Sequence, residues 1–234
     1  MNAAERSVAE LGRSIARATS DLQKEAADIL DSIDGDIAKA KRLLTSRELQ
    51  KYRMQPGALI ERYIGDDRHA DAVLDLLYKQ DKVNRLDSMI GQMDALTYEL
   101  YGKISGSIEQ TMTDAAERSY NGTFHAVETY LGRGYEWAHI DEQKLNVLLN
   151  SDWSGTYWSD RLWGHVSDFN RLIKDTVTRG VLTGSPIRDM ATELMGRTNQ
   201  LRHRCETIVR TETAHVAGAA TAMSYAEVGI DEYT

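Results

Sequence analysis

The sequence contains few cysteines, few prolines and fewer basic than acidic side chains. Its single cysteine among 234 residues excludes an internal disulfide bond. Because it has only two prolines, long stretches lack the residue that most often interrupts a helix. The formal net charge of −8 argues against a protein that coats nucleic acid by neutralising its phosphates.

Long apolar runs are also missing. No stretch approaches the roughly 20 apolar residues that span a bilayer. The N-terminal MNAAERSVAELGR is charged and amphipathic, without the apolar core of a signal peptide. We therefore expect a soluble protein with no export signal. Hydrophobic residues make up 41% and charged residues 27% of the chain, which is typical of a folded protein rather than a disordered one.

The hydrophobic residues recur at helical spacing along most of the chain, so we predict an all-α fold. One amphipathic helix is expected over residues 3–33, and a longer one over residues 81–120. The apolar stripe of the longer helix comprises Leu86, Met89, Ile90, Met93, Leu96, Leu100, Ile104, Ile108 and Met112. Such a length indicates an elongated N-terminal helical arm at residues 1–134, followed by a helical C-terminal domain at residues 135–234.

Capping residues and helix breakers mark the helix boundaries of the second half. Asp141 and Ser159 are each placed to cap a helix. The buried face of the helix after Ser159 is predicted to carry Leu162, Val166, Phe169, Ile173 and Val177. Between residues 183 and 186, TGSP is typical of one helix ending and the next beginning. Residues 196–199 are predicted to link to a last helix, which stops at Gly229, where a strand begins.

The last helix, over residues 201–229, carries the most specific pattern. One face is predicted to hold Val209, Thr213, Val216 and Ala220, at i, i+4, i+7 and i+11. Arg210 and Glu212 point roughly 200° apart around the helix, so they cannot form one catalytic pair. Glu212 is therefore expected to tether a different neighbour, while Arg210 can pair with Glu206 and, through it, with Arg202. The alternative is a set of ion pairs on a solvated helix face.

No group of residues completes a catalytic or metal-binding pattern. Zinc can be bound by residues of the types found at His203, Cys205 and His215. Residues two apart on an intact helix point about 200° apart, so His203 and Cys205 cannot both bind one ion. HExxH, paired CxxC, a nucleophile elbow and a glycine-rich phosphate loop are missing. We predict no metal, no cofactor and no enzymatic activity. An ADP-ribosyltransferase that uses Glu212 is the enzymatic alternative, although that class has a β-rich fold.

Three of the four tryptophans lie in DWSGTYWSDRLW, as Trp153, Trp158 and Trp163. Aromatic residues this dense in a loop either pack on the protein's own core or anchor a partner. The own-core interpretation is favoured, and the three tryptophans are kept as candidate partner-anchoring residues.

Several stretches resemble the phage head-morphogenesis family of minor head, or minor capsid, proteins of the Mu F type. The most specific is IVRTETAHV, in which the family's arginine-threonine-glutamate signature falls on Arg210, Thr211 and Glu212. Three other stretches are also similar to parts of the family's sequences and occur in the family's order along the chain. They are VNRLDSMIGQMDALTYELY, DWSGTYWSDRLW and VTRGVLTGSPIRDMATEL. The likeness extends from about Val83 to the end of the chain.

This resemblance implies a structural role in the phage head. Family members are virion components at the portal vertex or in the capsid interior, and they take part in capsid assembly in the host cytoplasm. The implied partners are the portal protein, a major capsid or scaffolding protein, and packaged DNA, with no membrane. The signature residues are carried over as fold or interface determinants, not as catalysts. Relatives continue into a strand-rich tail, so we expect the chain to be truncated at Thr234.

A helical DNA-binding protein is the main alternative that the residues themselves suggest. Residues 185–212 are predicted as a hairpin of two helices joined near Gly196, and the hairpin carries several arginines. The turn GRTNQ does not match the tight pattern of a helix-turn-helix motif, and acidic residues balance the arginines.

Overall fold

The computed structural model describes residues 85–132, 139–183 and 185–230, together with positions 9, 12, 13, 16, 17, 20 and 24. The three longer stretches contain four helices: α1, Arg85–Leu131; α2, Glu142–Leu149; α3, Trp158–Thr183; and α4, Ile187–Glu227. No strand occurs in these stretches, and the all-α prediction is confirmed. The strand predicted after Gly229 lies outside the described residues, as does most of the helix predicted over residues 3–33.

The chain forms two compact units, and each is assembled from separated stretches. The first unit comprises Met1–Arg13, Ser105–Arg161 and Cys205–Thr234, and the second comprises Ser14–Ile104 and Leu162–Arg204. Because α1, α3 and α4 each contribute to both units, both units take residues from either side of position 134. The division into an arm and a C-terminal domain at that position stays a prediction. None of the helices in the described stretches is long and apolar enough to cross a membrane.

The second unit packs around the apolar face of α3. The face predicted from the sequence is confirmed, because Leu162, Val166, Phe169, Ile173 and Val177 are all 4% exposed or less. A buried polar contact joins α3 to α1, in which Asn170 donates from its side-chain amide to Asp94. Lys174 pairs with the same carboxylate. A buried carboxylate is costly unless it is paired and hydrogen-bonded, so this contact favours one register of the two helices.

The helices α3 and α4 approach each other closely at Gly180. A Cβ atom added there would lie 1.9 Å from Sδ of Met190, which is buried on α4. The predicted junction between the two helices is confirmed, since α3 ends at Thr183 and α4 begins at Ile187. The N–H of Ser185 donates to the carbonyl of Gly180 at 2.9 Å and satisfies one acceptor in the last turn of α3.

The first unit buries the second half of α1 against α4 and α2. The face predicted for α4 is confirmed, with Val209, Thr213, Val216 and Ala220 all 6% exposed or less. Asp141 caps α2 as predicted, because its carboxylate accepts from the N–H of Lys144 at 2.8 Å. The predicted stop of α4 is also confirmed. Gly229 has a φ of 78°, and the next N–H donates to the carbonyl of Tyr225, which closes the helix end.

Three predicted boundaries are wrong. The helix α1 runs through Asn121-Gly122 to Leu131, α3 begins at Trp158 rather than after a Ser159 cap, and α4 is continuous across residues 196–199. Within and on either side of the predicted link, α4 has Leu194, Thr198 and Leu201 buried on one face. Burial of a periodic face offsets the roughly 1 kcal/mol that a glycine costs inside a helix. The helical hairpin predicted over residues 185–212 is therefore wrong, and the DNA-binding alternative loses the structural motif on which it was based.

Candidate interface around Glu212

The three signature residues of α4 have different environments. Arg210 and Thr211 are exposed, whereas Glu212 is only 2% exposed. Successive residues of a helix are separated by about 100°, so the first two signature residues face solvent and the third faces the interior of the first unit. The predicted divergence of Arg210 and Glu212 is confirmed.

Glu212 is held by two donors from other parts of the chain. The indole N–H of Trp153 donates to its Oε2 atom at 2.9 Å. The guanidinium of Arg161, in the first turn of α3, donates to its Oε1 atom and forms a salt bridge with it. Both carboxylate oxygens are thus engaged, and the charge is neutralised where water has little access. Glu212 thereby ties α4 to α3 and to the loop that precedes α3.

That loop contains a tight turn after Asp152. Gly155 has a φ of 86°, in the region that favours glycine, and its N–H donates to the carbonyl of Asp152 at 2.7 Å. The turn presents Trp153 to α4, where the indole lies on the ring of His215. The ring centroids are 4.3 Å apart and the planes differ by 13°. A stacked face and a hydrogen-bonded edge therefore fix this side chain.

The three candidate tryptophans have different roles. Trp158 is buried, and its indole N–H donates to the carbonyl of Leu149 at 3.0 Å. Trp163 stacks on Tyr98 within the second unit, at 5.2 Å between centroids, and also meets the edge of Tyr101. These two pack on the chain's own core. Trp153 differs from both, because it is 45% exposed although its orientation is fixed.

A second polar cluster in the first unit joins α1, α2 and the end of α4. The phenol of Tyr120 and the ammonium of Lys144 both donate to the carboxylate of Glu227. Burial and the hydrogen bond to Glu227 raise the pKa of Tyr120 to about 12. Burial raises the pKa of Glu227, but the hydrogen bonds from Lys144 and Tyr120 outweigh it and leave the pKa below its usual value. This cluster joins three helices of the first unit.

The residues considered as zinc ligands are not brought together. Cys205 is buried, and this burial raises the pKa of its thiol to about 12. His203 is exposed, and His215 is committed to the stack with Trp153. Among the residues that the structure describes, no three acidic, histidine or cysteine side chains are placed to hold a metal ion.

The sequence reasoning missed Arg161 as the partner of Glu212. A signal was available, since Glu212 lies three residues after Val209 and four before Val216, at the edge of a buried face. A carboxylate in that position requires a cation or several hydrogen-bond donors. The sequence could not identify which cation, because Arg161 is 51 residues away.

Comparisons of the chain with protein-family models, with curated proteins and with solved structures find no match.

Proposed function

We propose that this chain is a structural minor head protein of a phage, a virion component that takes part in capsid assembly by binding at the portal vertex or in the capsid interior. The proposal starts from the sequence resemblance around Arg210, Thr211 and Glu212. The arrangement of these residues supports a structural role, because the buried glutamate ties two helices and a loop together. The exposed arginine and threonine beside it remain available for contact with a partner.

The state of Glu212 also favours a non-catalytic role for it. An acid or base must reach the proton that it transfers. Both oxygens of this carboxylate are already occupied by Arg161 and Trp153, in a site that is 2% exposed. One observation therefore carries the proposal: both carboxylate oxygens of Glu212 are bound by side chains of the same protein, whereas Arg210 and Thr211 are exposed.

Two measurements test the proposal. Mass spectrometry of purified virions should detect the chain, and the purified chain should co-sediment with portal oligomers or with the major capsid protein of the same phage. Replacing both Arg210 and Thr211 by alanine should weaken the association. Arg171→Ala, which changes an exposed arginine of the second unit that pairs with Asp168, should leave it unchanged. Absence from virions together with no association with either protein would show that the proposal is wrong.

A further inference from the structure

The short helix α2 depends on its neighbours for its stability. It has eight residues, and a helix of that length is marginal in water on its own. Its buried residues are Leu148 and Leu149, both in its last turn. In the first turn, residues 142–145, no side chain is buried. The first turn is therefore not held in place by burial of an apolar residue.

A polar contact holds the first turn of α2 to the end of α4. The ammonium of Lys144 donates to Oε1 of Glu227, and it also pairs with Asp141, the N-cap of α2. The phenol of Tyr120, on α1, donates to Oε2 of the same glutamate. Because Glu227 is the last residue of α4, its carboxylate joins three helices at one point.

The charge of Glu227 decides the strength of this contact. The groups that act on its carboxylate are Lys144 and Asp141, on the side of α2, and Tyr120 on α1. Burial raises the pKa of Glu227, but the hydrogen bonds from Lys144 and Tyr120 hold it below its usual 4.5. The backbone N–H of Lys144 likewise lowers the pKa of Asp141. Both carboxylates therefore stabilise the docked helix at neutral pH, and this stabilisation is lost as the pH falls through their folded-state pKa values.

The other two groups keep the contact complete well above neutral pH. The hydrogen bonds to Glu227 and Asp141 raise the pKa of Lys144 above its usual value. The pKa of Tyr120 is raised from 10.0 to about 12. Groups with a raised pKa stabilise the folded contact below their usual pKa and lose that effect only as the pH rises further. Between about pH 4.5 and about pH 10, all four groups therefore favour the docked helix.

We propose that α2 is an acid-sensitive clasp, which stays docked while Glu227 is charged and opens as a local unit when that carboxylate is protonated. Protonation removes the charge that pairs with Lys144, so the first turn of α2 loses its link to α4. Opening also breaks the link at the other end, where the indole N–H of Trp158 donates to the carbonyl of Leu149. The open state exposes Leu148 and Leu149, which are buried while the clasp is closed.

Hydrogen exchange of the full chain, measured by mass spectrometry, tests the clasp. The protection factors correct for the intrinsic pH dependence of exchange, and they are compared between about pH 6 and about pH 3. The amides of Leu145 and Asn150, which donate within the helix at 3.0 Å, belong to the segment observed. Protection of α2 should fall by about three- to tenfold, since the contact involves charged groups that are partly exposed to solvent. Protection of residues 209–216 in α4 should change by less than about twofold.

Two matched variants separate the clasp from general acid destabilisation. Glu227→Gln removes the charge and keeps an acceptor oxygen, so α2 should lose about three- to tenfold in protection already at pH 6. It should also lose most of its further response to acid. Glu193→Gln is the control, because Glu193 also pairs with a cation, Arg179 at 2.8 Å, but in the second unit. This variant should keep the wild-type response of α2.

Faster exchange confined to α2, in acid for the wild type and at pH 6 for Glu227→Gln, is the expected result. If Glu227→Gln does not fold, Lys144→Met removes the other member of the pair and should have the same effect on α2. The clasp is wrong if α2 keeps its protection in acid, or if Glu227→Gln responds to pH as the wild type does. Simultaneous loss of protection in α2 and α4 would also overturn it, because acid would then unfold the whole unit.

Discussion

Replacing Gly180 by alanine should destabilise the protein, although alanine is the better helix former. A Cβ atom at this position would lie 1.9 Å from Sδ, 2.8 Å from Cγ and 3.2 Å from Cε of Met190. Carbon and sulfur atoms in contact need nearly 4 Å, so the methionine must move by about 2 Å. The methionine is 6% exposed, so its flexible side chain must find a new rotamer within the core.

The size of the effect follows from two opposing contributions. Overpacking a core costs about 1–3 kcal/mol, and replacing a helix-interior glycine by alanine contributes about 0.8–1 kcal/mol in the other direction. The net expectation is a loss of about 0–2 kcal/mol, which lowers the melting temperature by about 2–4 °C per kcal/mol in a chain of this size. Gly164, also in α3, is exposed with no atom within 4 Å of an added Cβ. Gly164→Ala should therefore stabilise by about 0.5–1 kcal/mol.

Urea unfolding followed by circular dichroism measures both variants. A second experiment isolates the contact itself, because Gly180→Ala introduced into a Met190→Ala background should become stabilising. The coupling free energy between the two substitutions should then be about 1–3 kcal/mol. If Gly180→Ala raises stability as much as Gly164→Ala does, or if the double variant shows no coupling, the close approach of α3 and α4 is wrong.

Two further predictions concern ionisable groups of the first unit. The pKa of Glu227 is held below its usual value of 4.5 by Lys144 and Tyr120, so its contribution to stability is present above pH 4.5 and is lost as the pH falls through the lower folded-state pKa. The difference in urea midpoint between wild type and Glu227→Gln should be clear at pH 7 and should shrink below pH 4.5, whereas an equal difference at pH 3 would contradict the contact. Cys205 is buried with its thiol pKa raised to about 12, so the native protein should react with iodoacetamide far more slowly than the urea-unfolded chain. Equal rates would show that Cys205 is accessible.

Most of the fold of the described helices could be predicted from the sequence, because it depends on local periodicity. The five apolar positions of α3 and the four of α4 recur at helical spacing, and spacing alone assigns them to one face. Asp141 and Gly229 could be identified because helix capping is local. At the N-terminus a side chain binds a backbone N–H of the adjoining turn, and at the C-terminus glycine adopts the positive φ that ends the helix. Two of the three boundary errors arose at Asn121-Gly122 and at Gly196, where local propensity was weaker than burial of the residues on either side.

The sequence by itself determined that the chain is helical, which faces of α3 and α4 are buried, and that Arg210 and Glu212 point in different directions. Each of these follows from the fixed rotation per residue of a helix, which needs no knowledge of neighbours. Only the tertiary structure decided that Arg161 and Trp153 meet Glu212, and that Trp153 alone of the three tryptophans is both exposed and held. Those contacts join residues 51 and 59 positions apart. The packing of whole helices brings such residues together, and no pattern within one helix specifies it.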